Sequence, residues 1–89
     1  MNSYILFRNP KVKYRKEEYG GIVKTREGMF IIDKKTFKIL ETINGAKTYS
    51  EIAVDKETKK IVDDLLKLSI ILPIKKKVVE KIKQKLNNL

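Results

Sequence analysis

Apolar residues in the first third of the chain are spaced for extended strands. Val12 and Tyr14 alternate with basic residues, and two further apolar runs lie on either side of Thr25-Arg26-Glu27-Gly28. Alternation with a period of two is typical of strands, and glycine suits a turn position that requires a positive φ. The pattern predicts an antiparallel meander of three strands at 12–16, 21–25 and 28–32.

Helical spacing begins directly after the third strand. Asp33 is a suitable N-cap for a first helix over 34–43, which Asn44-Gly45 ends. Thr48 and Glu51 have the spacing of a capping box. A short second helix is therefore predicted at 49–53.

The clearest amphipathic segment is the third helix, predicted over 56–69 with Asp55 as its N-cap. Its apolar stripe consists of Ile61, Val62, Leu65, Leu66 and Leu68. Residues 69–73 close it as a short extended segment.

Residues 75–89 have a fourth helical pattern, in which a narrow apolar stripe runs among lysines. The stripe consists of Val78, Val79, Ile82, Leu86 and Leu89. Three roles are open for this helix: docking on the domain, pairing with a partner helix, or lying on an anionic surface.

Strands followed by helices are typical of the α+β class. Helix-turn-helix proteins typically have a helix, a short helix and a longer helix joined by tight turns, as predicted here. We therefore predict a winged-helix-like domain over 1–74, with a three-stranded antiparallel sheet followed by three helices. A Lys-rich amphipathic C-terminal helix over 75–89 completes the chain.

Composition argues against catalysis. The 89 residues are enough for one small domain and include neither cysteine nor histidine. This excludes disulfides, thiolate nucleophiles, histidine acid–base pairs and the usual zinc sites. Asp63 and Asp64 are adjacent on a helix, so their carboxylates point about 100° apart and do not converge. We expect no enzyme activity, no catalytic residue, no metal site and no cofactor.

Charge is concentrated at the C-terminal end. The net charge is +10, and residues 75–89 contain six lysines and one glutamate. No apolar stretch is long enough to span a membrane, and the segment 1–7 is too short and too weakly basic for a signal peptide. We therefore expect a cytoplasmic protein without a membrane partner.

A basic domain with a helix-turn-helix pattern also suggests DNA binding. The third helix, which would read the bases, carries Glu57, Asp63 and Asp64 among its lysines. It has no Arg, Asn or Gln for bidentate base contacts. A small basic winged-helix DNA-binding protein is therefore the alternative function.

The third predicted strand is apolar at four successive positions, Met29 to Ile32, whereas a strand with one face in water should alternate. One explanation is a strand covered by helices on one face and by the tail or the segment 4–7 on the other. The other is an edge strand beside a groove, to which a peptide adds as a further strand.

The segment from Asn9 to Ile52 resembles the PqqD-like family, the recognition elements of systems that modify ribosomally synthesised peptides (RiPPs). The matching features are the N-P-x-V opening, the sequence YGGIV at 19–23, the apolar third strand and the G-x-x-T-x-x-E-I pattern ending at Ile52. The resemblance is closest to the small mycofactocin-type proteins and covers roughly residues 9–74. The chain departs from the family in its Lys-rich tail and in SIILPI at 69–74, where a glycine is usual.

The resemblance implies a non-catalytic peptide chaperone that binds the leader segment of a precursor peptide by β-strand addition. The leader lies between the third strand and the third helix and is presented to a radical-SAM or other peptide-modifying enzyme. The implied site consists of Gly28, Met29, Phe30, Ile31 and Ile32 on the strand and Lys59, Lys60, Asp63 and Lys67 on the helix. The lysines would pair with acidic leader side chains and Asp63 with a basic or polar one. Monomer and homodimer are both open.

Overall fold

The structure, a computed structural model, describes residues 3–87 and has two antiparallel sheets and four helices in that range. In chain order the elements are β1 (Tyr4–Arg8), β2 (Lys13–Glu17), β3 (Gly20–Thr25), β4 (Gly28–Asp33), α1 (Lys34–Thr42), α2 (Tyr49–Ile52), α3 (Lys56–Lys67), β5 (Ile71–Lys75) and α4 (Lys76–Asn87). The predicted α+β class is confirmed. Leu89, the last member of the predicted tail stripe, lies outside the described residues.

The larger sheet is the predicted meander, with strand order β2-β3-β4. Its inner face packs on α1, where Val23 is fully buried between its cross-strand neighbours Tyr14 and Phe30. Gly28, at the end of the turn between β3 and β4, has a φ of +141°, as the turn sequence predicts. Local turn chemistry and alternation therefore place this sheet correctly.

The helix starts also follow the local sequence. The carboxylate of Asp33 accepts a hydrogen bond from the Thr36 N–H at 2.8 Å, and that of Asp55 accepts one from the Thr58 N–H at 2.7 Å. The Glu51 carboxylate accepts a hydrogen bond from the backbone N–H of Thr48 at 3.1 Å, as in a capping box. These hydrogen bonds to the charged form lower the pKa of all three carboxyl groups.

The second sheet corrects the sequence-based picture. β1 pairs antiparallel with β5, with Tyr4 opposite Lys75 and Arg8 opposite Ile71. The N-terminal segment was not predicted as a strand, and the extended segment after α3 continues to Lys75. The domain boundary predicted between residues 74 and 75 therefore falls inside β5. Local sequence does not reveal this sheet, because its two strands lie at opposite ends of the described chain.

One apolar core joins both sheets to the first three helices. Its buried members are Leu6, Val23, Leu40, Ile43, Ile52, Val62, Leu65, Ile70 and Ile71. β1 therefore supplies part of the core, which explains its unbroken apolar run. α4 packs against β1 and β5. No helix among residues 3–87 is long and apolar enough to cross a bilayer.

α3 ends in a Schellman motif, two residues before the predicted helix end. The N–H of Ser69 donates to the Leu66 carbonyl at 3.1 Å, and the N–H of Ile70 donates to the Leu65 carbonyl at 3.0 Å. Ser69 has a φ of +57°, the left-handed conformation that glycine usually supplies at this position. The side-chain amide of Asn9 donates to the Ser69 carbonyl at 2.8 Å and ties the end of β1 to this turn.

Replacing Ser69 with glycine is expected to raise the free energy of unfolding by about 1 kcal/mol, because glycine carries no steric cost in the left-handed region. Urea denaturation followed by circular dichroism measures the change. Ser69→Ala is the matched control, since it removes the hydroxyl but keeps the Cβ, and it should bring no gain. A glycine variant no more stable than the alanine variant would contradict the expectation.

Candidate functional site

β4 forms an edge of the larger sheet, and within residues 3–87 no strand pairs with its outer side. Thr25 and Gly28 flank a two-residue turn, so they form a hydrogen-bonded pair and bonded pairs alternate from there. Phe30 and Ile32 therefore bond to β3. The backbone N–H and C=O groups of Met29 and Ile31 point away from the sheet and are available to another strand.

The two faces of β4 differ in exposure. Phe30 and Ile32 are half-buried on the helix side, whereas Met29 and Ile31 are 67% and 77% exposed on the outer face. The explanation in which the tail or the segment 4–7 covers this outer face is wrong for the described residues, because that segment pairs with β5 and α4 packs on the smaller sheet. The apolar run therefore has a covered face and an open one.

The two ends of α3 lie near the two ends of β4, in the opposite order along the chain. Near the end of β4, Lys35 Nζ lies 2.8 Å from Glu57 Oε2 and links the start of α1 to the first turn of α3. Near the start of β4, residues 67–69 and the turn 25–27 line the same cavity of about 240 Å³. These contacts bring each end of α3 close to one end of β4.

One side of α3 makes both of these contacts, and we call it the edge-facing stripe: Glu57, Ile61, Asp64 and Leu68. Their spacing of four, three and four residues puts them on one face of a helix. Of the two end members, Glu57 contacts Lys35 of α1, and Leu68 lines the cavity beside the turn 25–27. Ile61 is half-buried and Leu68 is 40% exposed. Sequence reasoning missed these residues, because helical periodicity does not say which flank meets a strand.

The helix residues predicted for the site divide into two groups. Lys60 and Lys67 lie four residues before and three residues after Asp64, so they border the edge-facing stripe on its solvent side. Lys59 lies about half a turn of the helix away from the stripe. Asp63 accepts a hydrogen bond of 2.6 Å from the Tyr49 hydroxyl of α2. Lys60 and Lys67 therefore lie beside the edge-facing stripe, whereas Lys59 and Asp63 lie away from it.

The Tyr49–Asp63 hydrogen bond has an electrostatic consequence. Because it favours the neutral phenol, it raises the pKa of Tyr49 to about 12. The Asp63 carboxylate therefore lies on the α2 side of α3. The function of Lys59 and Asp63 in peptide binding stays a prediction.

The outer face of the sheet combines apolar and basic side chains. Register places Ile22 opposite Ile31 and Lys24 opposite Met29, and Lys13 and Arg15 follow on β2. A strand added to β4 would therefore meet apolar side chains first. The cations lie one and two strands further away.

The site offers unpaired backbone groups, apolar side chains and charges of both signs, which is the chemistry for binding an extended chain. Within residues 3–87, no three His, Cys, Asp or Glu side chains are grouped so that they could hold a metal ion. The free backbone groups of Met29 and Ile31 are positioned for hydrogen bonds to an added strand, and the exposed side chains beside them are available for contacts.

The resemblance to PqqD-like recognition elements is carried by the motifs between Asn9 and Ile52 and stays a prediction. No protein-family model matches the chain, and no curated protein sequence matches it.

Proposed function

We propose that the protein is a non-catalytic, winged-helix-like peptide chaperone of the cytoplasm. It binds the leader segment of a precursor peptide as a fourth strand on β4 and presents it to a peptide-modifying enzyme of the radical-SAM or another class. The observation that carries the proposal is the edge of β4, which no strand within residues 3–87 pairs and on which Met29 and Ile31 are exposed.

Affinity comes mainly from the backbone. Met29 and Ile31 offer two N–H donors and two C=O acceptors, which an extended peptide satisfies by continuing the sheet. Edge strands that are long and apolar are an aggregation hazard, so a protein that keeps one open gains from having a partner for it.

Selectivity comes from the two faces of the added strand. Alternate peptide side chains point towards α3 or towards the outer face. On the α3 side they meet Ile61 and Asp64, with Lys60 and Lys67 at the border. On the outer face, apolar peptide side chains pack beside Met29 and Ile31. The leader segment that fits best is therefore apolar on its outer face and carries both apolar and charged residues towards the helix.

Backbone amide NMR on the full chain tests the proposal. The ligand is a synthetic leader segment of the precursor peptide encoded beside this gene, and the control ligand is a short mixed-sequence DNA duplex. Binding by strand addition should shift the amides of residues 28–32 and of α3 along the edge-facing stripe. The shifts should change little with salt, because hydrogen bonds and apolar contacts dominate.

The same titration tests the alternative function. A DNA-binding protein would show no response to the peptide and would show salt-sensitive shifts over α3 and α4 on addition of the duplex. That outcome would replace peptide recognition by nucleic-acid binding.

A further inference from the structure

α4 presents an apolar face that the rest of the described chain leaves open. Val79 is buried in the first turns, where the helix packs against β1 and β5. Val78, Ile82 and Leu86 are 45%, 53% and 64% exposed, so exposure rises with distance from the packed end. These three residues, the α4 stripe, are spaced by four and lie on one side of the helix.

Lysines border this stripe on both sides. At about 100° per residue, Lys81 and Lys85 lie along one border and Lys76 and Lys83 along the other. The side of the helix opposite the stripe carries Lys77, Glu80, Gln84 and Asn87. Apolar, basic and mixed polar surfaces therefore follow one another around the helix axis.

We infer that α4 binds the surface of a bilayer that contains anionic phospholipids. The helix lies in the plane of the membrane, with Val78, Ile82 and Leu86 at the boundary between headgroups and acyl chains. The bordering lysines extend their methylene chains along the apolar surface and place their ammonium groups among the lipid phosphates. The one carboxylate of the helix, on Glu80, faces away from the lipid.

Charge complementarity favours an anionic bilayer over two other binding partners of the α4 stripe, a second copy of the chain and nucleic acid. A second copy of α4 would bring an equal number of lysines to the contact, so pairing is opposed by like charge. Nucleic acid would satisfy the lysines but would leave the α4 stripe in water. An anionic bilayer accommodates both the apolar side chains and the cations.

This inference adds a lipid partner, whereas the sequence predicted no membrane partner, and it is independent of peptide binding. α4 packs on the smaller sheet, and the candidate peptide edge belongs to the larger one. Lipid binding by α4 and peptide binding by β4 can therefore be tested separately.

Co-sedimentation of the full chain with vesicles provides the test. One set of vesicles contains equal parts of phosphatidylcholine and phosphatidylglycerol, and the control set contains phosphatidylcholine alone. The protein should sediment with the anionic vesicles only, and less at high salt, because salt screens the lysine–phosphate attraction. Ile82→Gln should reduce binding at least about tenfold, since it removes the central apolar contact. Gln84→Ala, on the opposite side of α4, is the matched control and should leave binding unchanged.

A pair of triple variants separates local charge from net charge. Changing Lys81, Lys83 and Lys85 together to glutamine should weaken binding about a hundredfold, because each lysine near an anionic surface contributes about fivefold. The control triple variant has exposed Lys16, Lys34 and Lys38 changed to glutamine, so it loses the same charge outside α4. It should retain most of the binding.

Three outcomes would overturn the inference. The first is that the protein fails to sediment with anionic vesicles at low salt. The second is evidence of diffuse adsorption of a basic protein. Either Ile82→Gln binds as well as the unmodified chain, or both triple variants lose binding equally. The third is that sedimentation equilibrium reveals a dimer, which Ile82→Gln dissociates, and no vesicle binding, in which case the α4 stripe is covered by a second copy.

Discussion

Replacing Ile31 with proline is expected to weaken leader-peptide binding about thirtyfold while the domain stays folded. Proline has no N–H, so the free edge of β4 loses a donor, and the matching peptide carbonyl is left unpaired at a cost of about 2 kcal/mol. The ladder between β3 and β4 is not affected, because the Ile31 backbone points away from β3. Proline is tolerated on edge strands in this orientation.

Isothermal titration calorimetry with the leader peptide measures the change in affinity, and circular dichroism checks the fold. Ile31→Ala is the matched control: it shortens the same exposed side chain but retains the N–H, so its loss of affinity should be much smaller. If a folded Ile31→Pro protein bound the leader as tightly as the unmodified chain, strand addition at β4 would be excluded.

Replacing Gly20 with alanine is expected to lower the free energy of unfolding by about 4 kcal/mol, a large fraction of the stability of a small domain. Gly20 has a φ of +144°, and a Cβ added there would overlap the carbonyl oxygen of Ile32 and the carbonyl carbon of Asp33. Both are backbone atoms, so no side-chain rotation relieves the overlap. The start of β3 and the end of β4 would have to move apart, which would also displace Asp33, the N-cap of α1.

Gly28 provides the matched control. Its φ of +141° is nearly that of Gly20, but a Cβ added there meets no atom within 4 Å. Gly28→Ala should therefore cost about 1 kcal/mol, from backbone strain alone. Chemical denaturation of both variants measures the two losses, and their difference reports the close approach at Gly20. Equal losses would show that backbone conformation, not packing against β4, decides the effect.

Sequence succeeded where structure is decided by neighbours along the chain. The caps at Asp33 and Asp55 and the positive φ of Gly28 each depend on a few adjacent residues. The meander follows from the same local signals, because tight turns set the register of antiparallel strands. The apolar run of β4 left two explanations open, a strand covered on both faces and an edge strand, and the structure has the edge strand.

Sequence failed where structure is decided by distant segments. The pairing of β1 with β5 depends on their meeting in space, and the apolar run Tyr4–Phe7 was equally compatible with a cover for β4. On α3, periodicity separates the buried face from the exposed one, but the two exposed flanks are equivalent until neighbours are known. The Lys35–Glu57 contact and the cavity by Leu68 distinguish them.

The pairing of β1 with β5 also has a consequence for biosynthesis. β1 is translated before every other described element, whereas β5 follows α3. Leu6 can hydrogen-bond earlier to the backbone of Gly45 and Lys47, but the strand partner of β1 arrives only after α3. During that interval the edge of β1 that pairs with β5 is open, and the core lacks Ile70 and Ile71. Contacts between segments so far apart close slowly. Pairing of β1 with β5 is therefore expected to be the last and slowest folding step, and the nascent chain should bind chaperones through the open edge of β1.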